Sequence, residues 1–397
     1  MTGDILYVIG ALEIGGTERH LSAMARALAQ RGWRVAVYSL AGDGPLRAEL
    51  ERAGVTVILP TIDRQWIASP LALRALRMAV ASVHLTWVMI RRRPGIAHFL
   101  LPAAYLVGGV AAALARIKVR VMSRRSLNHY QSGYPLMRPL EILLHRTMTA
   151  ILGNSQAVVR ELRELEHVPT EKLGLIYNGV DMPAANTAAA REAIRATLGL
   201  DAETLVLSIV ANLIPYKGHS DLIAVLGAAQ TEMPHKWHLL VVGRDDGTGA
   251  AIAAQMRDLG IAGHVSLLGS RGDVPDLLAA SDMGILSSHQ EGFSNAVLEA
   301  MASGLPMIVT RVGGNAEAVI DGETGLVVPP QNPVEFARAI VRLANDAPLR
   351  RRFGDAGRQR VTRLFSQEAC VARYEALYRG LLEGAQVTDI EPFKSDF

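Results

Sequence analysis

Between Ile5 and Val328 the chain alternates short apolar runs with stretches of helical periodicity, and this alternation restricts the fold more than any other feature. Runs fall at 5–9, 34–39, 55–59, 96–100, 119–123, 150–153 and 173–176, then at 205–210, 238–242, 265–268, 283–287, 306–310 and 325–328. When a helix follows each strand, the next strand lies parallel to the last, because the helix carries the chain back to the starting edge. Unbroken hydrophobicity within a run means that both faces of the sheet are covered. With 397 residues, half of them hydrophobic, the chain exceeds one core of ordinary size. An Ala-rich polar stretch at 182–191 separates the two series. The expected class is α/β, with two doubly wound domains facing across a cleft. The expected boundaries are 1–181, 182–365, and a C-terminal helix and tail over 366–397 that packs back on the first domain.

Other classes fall away on composition. A formal charge of +3 is too small for a nucleic-acid footprint. The single cysteine, Cys370, forms no internal disulfide, and the N-terminus lacks the basic start and small-residue cleavage site of a signal peptide, so the cytoplasm is the expected compartment. Residues 96–115 contain no formal charge and have the length of a membrane span. Pro102 and Gly108-Gly109 interrupt them, and a strand followed by a helix beginning at Pro102 explains the same residues.

Doubly wound domains bind ligands beyond the carboxyl ends of their strands. The residues there are Gly15-Gly16, His98, Arg124-Arg125, Asn212 to Gly218, Gly243-Arg244, Ser270-Arg271-Gly272 and the segment HQEGFSNAVLEAMASGLP, His289 to Pro306. In that segment Ser294 or Asn295 can cap a helix. Glu291 then lies in the loop before the helix and Glu299 about one turn inside it. The N–H groups of Phe293, Ser294 and Asn295, together with the helix dipole, suit a diphosphate. A capping Glu291 and a solvated Glu299 are the plainer reading. Lys217 could set a point charge on a phosphate, or be a surface lysine. The first glycine turn lacks the G-x-G-x-x-G spacing, no phosphate-loop motif occurs, and neither Asp-x-Asp nor His-x-x-x-His offers a metal site.

Taken in order, GGTERHL, NSQAV, NGVD, PYKG, VVG, EGFSNAVLEAMASGLP, the GG-x-x-E at Gly313 to Glu317 and DGETGLVVPP resemble the family-4 retaining glycosyltransferases of GT-B fold, two Rossmann-like domains. The resemblance covers nearly the whole chain. It implies transfer of a sugar from a nucleotide-diphosphate sugar, a UDP-sugar being favoured, with retained anomeric configuration and no required metal or other cofactor. It implies that Glu299 binds the ribose, that the amides of Phe293 to Asn295 hold the diphosphate and sugar hydroxyls, and that Glu291 meets the transferred sugar. Lys217 would neutralise the leaving diphosphate, Gly16 would approach the phosphate as the cleft closes, the turn at Ser270-Arg271-Gly272 would accept the nucleobase through its backbone, and Gly243 would line the donor. Two positions depart from the family pattern. Asn212 stands where an arginine usually partners the lysine, leaving Arg244, Arg271 or Arg311 to compensate. His98 matches the first position of a His-x-His pattern whose second is Leu100 here, so His98 is either a sugar ligand or a core histidine.

The acceptor expected is a saccharide or a lipid-linked sugar of cell-surface polysaccharide or glycolipid synthesis, with Arg124 and Arg125 as candidate ligands for its phosphate. Residues 71–93 interleave apolar side chains with Arg74 and Arg77 and end in three arginines. They read as a covering helix of the first sheet or as a contact with an anionic membrane on its cytoplasmic face. A nucleotide-sugar epimerase of similar fold and an inactive nucleotide-binding scaffold are the competing functions.

Overall fold

The structure, a computed structural model, describes residues 3–60, 71–133, 137–183 and 188–393. The side chains of Arg74 and Arg77 lie outside the described residues. Two units emerge: one runs to Gly179 and resumes at Glu368, and the other is Val180–Gln367.

The first unit holds strands β1 (Asp4–Ile9), β2 (Arg34–Ser39), β3 (Thr56–Ile58), β4 (Ile96–Leu100), β5 (Val119–Arg124), β6 (Ala150–Gly153) and β7 (Leu173–Leu175). Its helices are α1 (Gly16–Gln30), α2 (Arg47–Arg52), α3 (Leu71–Arg92), α4 (Pro102–Leu114), α5 (Met137–His145) and α6 (Gln156–Glu164). The sheet is parallel, in the order β3-β2-β1-β4-β5-β6-β7. Every residue of β4 is buried, as a central strand covered on both faces must be. The uncharged segment 96–115 divides into β4 and α4, with Pro102 in the first turn, where its missing N–H costs nothing. Among the described residues no helix is long and apolar enough to cross a membrane.

The second unit begins with α7 (Ala188–Thr197) and holds β8 (Leu205–Val210), β9 (Trp237–Val242), β10 (Val265–Gly269), β11 (Met283–Leu286), β12 (Met307–Thr310) and β13 (Gly325–Val328). Between and after them come α8 (His219–Ala229), α9 (Gly249–Asp258), α10 (Val274–Ala280), α11 (Asn295–Ala302), α12 (Asn315–Ala318), α13 (Pro333–Asn345) and α14 (Ala347–Leu364). This sheet is also parallel, in the order β10-β9-β8-β11-β12-β13. In each sheet the winding reverses once, between β1 and β4 and between β8 and β11. Chain leaving the two central strands diverges there and opens a crevice.

The last helix, α15 (Gln367–Glu383), belongs to the first unit from Glu368 onward. It buries Tyr374, Leu377, Tyr378 and Leu381 in the core that β1 and β4 build. Each such side chain contributes about 1.5–3 kcal/mol when fully withdrawn from water. The phenol oxygens of Tyr378 and Tyr7 lie 2.9 Å apart. Trp33 and Arg31 both donate to the Glu375 carboxylate, at 3.2 and 3.0 Å.

Candidate active site

At the reversal point of the second sheet, the loop after β8 meets the loop after β11 through backbone. Gly218 has φ +68°, and a side chain there would place its first carbon 2.1 Å from the carbonyl oxygen of Ser287, so both conformation and space demand glycine. The Ser287 hydroxyl donates to the Lys217 carbonyl at 3.0 Å, and the His289 N–H donates to the Tyr216 carbonyl at 2.7 Å. The loop after β12 joins from the other side. Gly313, at φ +50°, leaves room for the Glu291 carbonyl, which a side chain would meet at 1.8 Å, and Gly314 N–H donates to Gly292 O at 2.8 Å.

These contacts set two side chains against each other. Lys217 Nζ donates to Glu291 Oε1 at 2.6 Å, and Ser288 Oγ donates to the same oxygen at 2.7 Å. Thr310 fixes the Ser288 backbone by donating to its carbonyl. The pair stays partly open to water, with side-chain exposures of 18% for Lys217 and 9% for Glu291.

Four residues after Glu291, α11 begins. Ser294 is its N-cap, its hydroxyl accepting from Val297 N–H at 3.4 Å; such a cap stabilises a helix by about 1 kcal/mol. Glu299 sits one turn inside, half-buried. The Phe293 ring is buried edge-on against Phe365, centroids 5.4 Å apart, so Phe293 can offer a ligand only its backbone. Asn295 opens the first turn.

Two of the three arginines expected to offset Asn212, Arg244 and Arg271, are engaged elsewhere. Asn212 is exposed and its Oδ1 accepts from Arg244 N–H at 3.2 Å. Arg244 forks onto Asp246 at 2.7 and 3.1 Å, and Arg271 onto Asp273 at 2.8 and 2.6 Å. Arg311 follows β12 with an exposed side chain. Gly243 directly follows β9, its N–H donating to Gly269 O at 2.9 Å.

In the first unit, Gly15 is the N-cap of α1 and Gly16 its first residue, with open space where a side chain would point. Two sequence expectations are corrected here. His98 is not at a ligand surface: its ring is buried, with Nδ1 2.6 Å from the Tyr378 hydroxyl and Nε2 2.8 Å from that of Ser123. Burial pulls its pKa from 6.5 down to about 3, so the ring is neutral. Arg124 cannot take a phosphate either. It is buried in a fork on Glu166, at 2.9 and 3.0 Å, and a further bond of 3.0 Å to Glu141. Tyr130, Gln131 and His145 complete that network. Burial pushes the Glu166 carboxyl up, but the bonds from His145 and Arg124 outweigh it and hold its pKa at about 2.

Arg125 is different. It lines a cavity of about 90 Å³ with Thr17, Pro102, Ser123 and Tyr130, at the carboxyl end of β5. Its Nη1 is buried and has no hydrogen-bond partner among the described residues. Burial lowers its pKa. The residues that sequence reasoning did not single out are Ser287, Ser288, Glu141, His145 and Glu166. The two serines carry a local signal, since they immediately follow β11.

Comparison with known proteins accords with this geometry. Residues 190–360 match the model of the glycosyl transferases group 1, and residues 14–182 that of glycosyltransferase family 4. The chain belongs to the family-4 glycosyltransferases. Among curated family members, it is 30% identical over 228 residues to the N-acetyl-alpha-D-glucosaminyl L-malate synthase of Bacillus anthracis, covering 57% of this chain and 58% of that one. The segment thus spans little more than half the length of that relative. To the D-inositol 3-phosphate glycosyltransferase of Corynebacterium glutamicum it is 25% identical over 401 residues, covering 95% and 94%. In fold, this family-4 chain is similar to Alr3699/HepE of Anabaena, solved in complex with UDP and glucose. That match has a TM-score of 0.81 at 22% identity, over 95% of this chain and 100% of the other.

Proposed function

We propose that this chain is a retaining glycosyltransferase that moves a sugar from a nucleotide-diphosphate sugar, by preference a UDP-sugar, to an acceptor hydroxyl in cell-surface polysaccharide or glycolipid synthesis. The observation that carries the proposal is the Lys217–Glu291 pair, 2.6 Å apart at the reversal point of a parallel sheet and directly before a capped helix. Breaking the bond from sugar to diphosphate leaves negative charge on the departing phosphate. The Lys217 ammonium and the N-terminus of α11 are pre-placed to stabilise it. Glu299 would accept from the ribose hydroxyls and Glu291 would orient the transferred sugar. Attack by the acceptor hydroxyl on the face from which the diphosphate leaves retains configuration, and the departing phosphate oxygen takes up the hydroxyl proton. The structural neighbour with UDP and glucose supports the choice of donor.

On the acceptor, the relatives named for L-malate and inositol 3-phosphate favour an anionic group. The unpartnered Nη1 of Arg125 would hold it; Arg124 is fully occupied. The test is nucleotide release from a panel of UDP- and GDP-sugars, with phosphorylated and neutral saccharides and lipid-linked sugars as acceptors, and NMR of the product for anomeric configuration. UDP release that depends on acceptor, with the donor configuration kept, is expected. Conversion of the donor without acceptor would replace the proposal by epimerisation, and nucleotide binding without turnover by a scaffold role. Glu299→Ala should weaken UDP binding about tenfold or more, the worth of a charged hydrogen bond of roughly 1.5–3 kcal/mol.

A further inference from the structure

From Met78 onward, where its side chains are described, helix α3 is apolar on two opposite sides, and only one is covered. Ala81, Leu85, Val88 and Met89 are buried in the core of the first unit. Val80, Val83, Trp87 and Ile90 recur at spacings of three and four and are exposed, Val83 at 71% and Trp87 at 57%. At 100° per residue the second set points away from the first. A covering helix normally turns a polar side to water, so the exposed stripe needs another explanation.

The stripe does not stand alone. α4 packs beside α3, and α5 beside α4. α4 exposes Val110 and Leu114, one turn apart, and α5 exposes Leu140 and Leu143. Each of these helices returns the chain to the amino end of the next parallel strand, so all three finish at the same edge of the sheet. Basic residues gather there: Arg91 and Arg92 in the last turn of α3, Arg93 after it, Arg116 and Lys118 after α4, and Arg146 after α5. All six are exposed, and none makes an ion pair among the described residues.

Sequence accentuates the pattern. Residues 64–140 contain no Asp or Glu and twelve basic residues, eleven Arg and one Lys. That segment carries +12 in a chain whose net charge is +3, so the remainder carries −9. Even with Arg124 neutralised inside the protein, such an excess is directed at a partner rather than needed for solubility.

We propose that the outer side of α3, α4 and α5 is a docking surface for an anionic lipid bilayer. The apolar stripe enters the boundary between headgroups and acyl chains, while the basic ends of the three helices pair with anionic headgroups. Large exposed apolar side chains flanked by unpaired cations, with no acid in α3, α4 or α5 before Glu141, favour lipid over a protein partner, whose interface would present acids and pockets of its own. The inference goes beyond sugar transfer and can be tested without any nucleotide sugar.

The test is co-sedimentation of the full chain with vesicles of phosphatidylcholine alone or with one third phosphatidylglycerol, at low and high salt. Binding to the phosphatidylglycerol vesicles, weakened by salt, is expected. The double substitution Val83→Asp with Trp87→Asp should lower the partition coefficient at least tenfold, and Arg91→Gln with Arg92→Gln should remove much of the salt-sensitive part. Val334→Asp, at an exposed apolar residue of the second unit, should leave it unchanged. Circular dichroism of the variants checks that each is folded. Failure of the wild-type chain to bind either vesicle, equal binding by the stripe variant, or a dimer in sedimentation velocity that Trp87→Asp dissociates would overturn the proposal.

Discussion

Two ionic clusters sit at the carboxyl edges of the two sheets and are built in opposite ways. In the first unit, Arg124 and its carboxylates are sealed, with side-chain exposures of 4% for Arg124, 0% for Glu166 and 1% for Glu141. Every strong donor and acceptor there has a protein partner, so the cluster is a structural tie with no bond to give up. In the second unit, Lys217 and Glu291 are in contact but remain open to water, with one bond between them. Both clusters hold arginine or lysine beside carboxylate, Arg124 at the last residue of β5 and Lys217 in the loop after β8. The difference lies in how many bonds a ligand would have to displace.

The sharpest way to break the comparison is Arg124→Met. It leaves two buried carboxylates without their cation and should cost about 3–5 kcal/mol, read as a fall in the denaturation midpoint. If the variant melted like wild type, the cluster would not be the tie described. Lys217→Ala should behave in reverse. Its melting temperature should stay near wild type, while turnover falls roughly 10²- to 10³-fold, the scale for losing one pre-placed charge stabiliser.

Acid adds a smaller effect on the first unit. His98 is held neutral by burial, with its pKa lowered from 6.5 to about 3, so the unfolded chain takes up a proton that the native state refuses. Stability from this group is intact above pH 6.5 and declines as pH falls toward 3, by about 1.4 kcal/mol per unit. Glu166, held at about 2 rather than 4.5, contributes stability above pH 4.5 that is lost as pH falls toward 2. Urea unfolding at pH 7 and pH 5 should show His98→Gln to be less sensitive to the change by about 2 kcal/mol. Smallest of all, Glu291→Gln should release Lys217 from its carboxylate. Calorimetry should then find UDP bound several-fold more tightly, a gain of about 1 kcal/mol, while transfer slows.

What could be read from sequence follows the range over which each signal acts. Strand positions are local, and the runs expected at 34–39, 96–100, 150–153, 205–210 and 325–328 coincide with β2, β4, β6, β8 and β13; the others shift by one residue at an end or, for β3, at both ends. The cap at Ser294 was equally legible, because hydroxyl, helix formers and the stop at Gly304 lie within eleven residues of chain. Arg124 misled because its partners lie 17 and 42 residues away and look, in sequence, like solvated helix positions. His98 is bonded by Tyr378, 280 residues later, and no spacing advertises that pairing. For α3, apolar residues interleaved with arginines were visible, but not which side would stay uncovered.

The placement of α15 also orders events during synthesis. Residues 180–367 form a contiguous unit and can fold as soon as they leave the ribosome. The first unit, although translated earlier, has Tyr7 and His98 waiting for a hydroxyl that arrives with Tyr378. The half made first is therefore the half completed last.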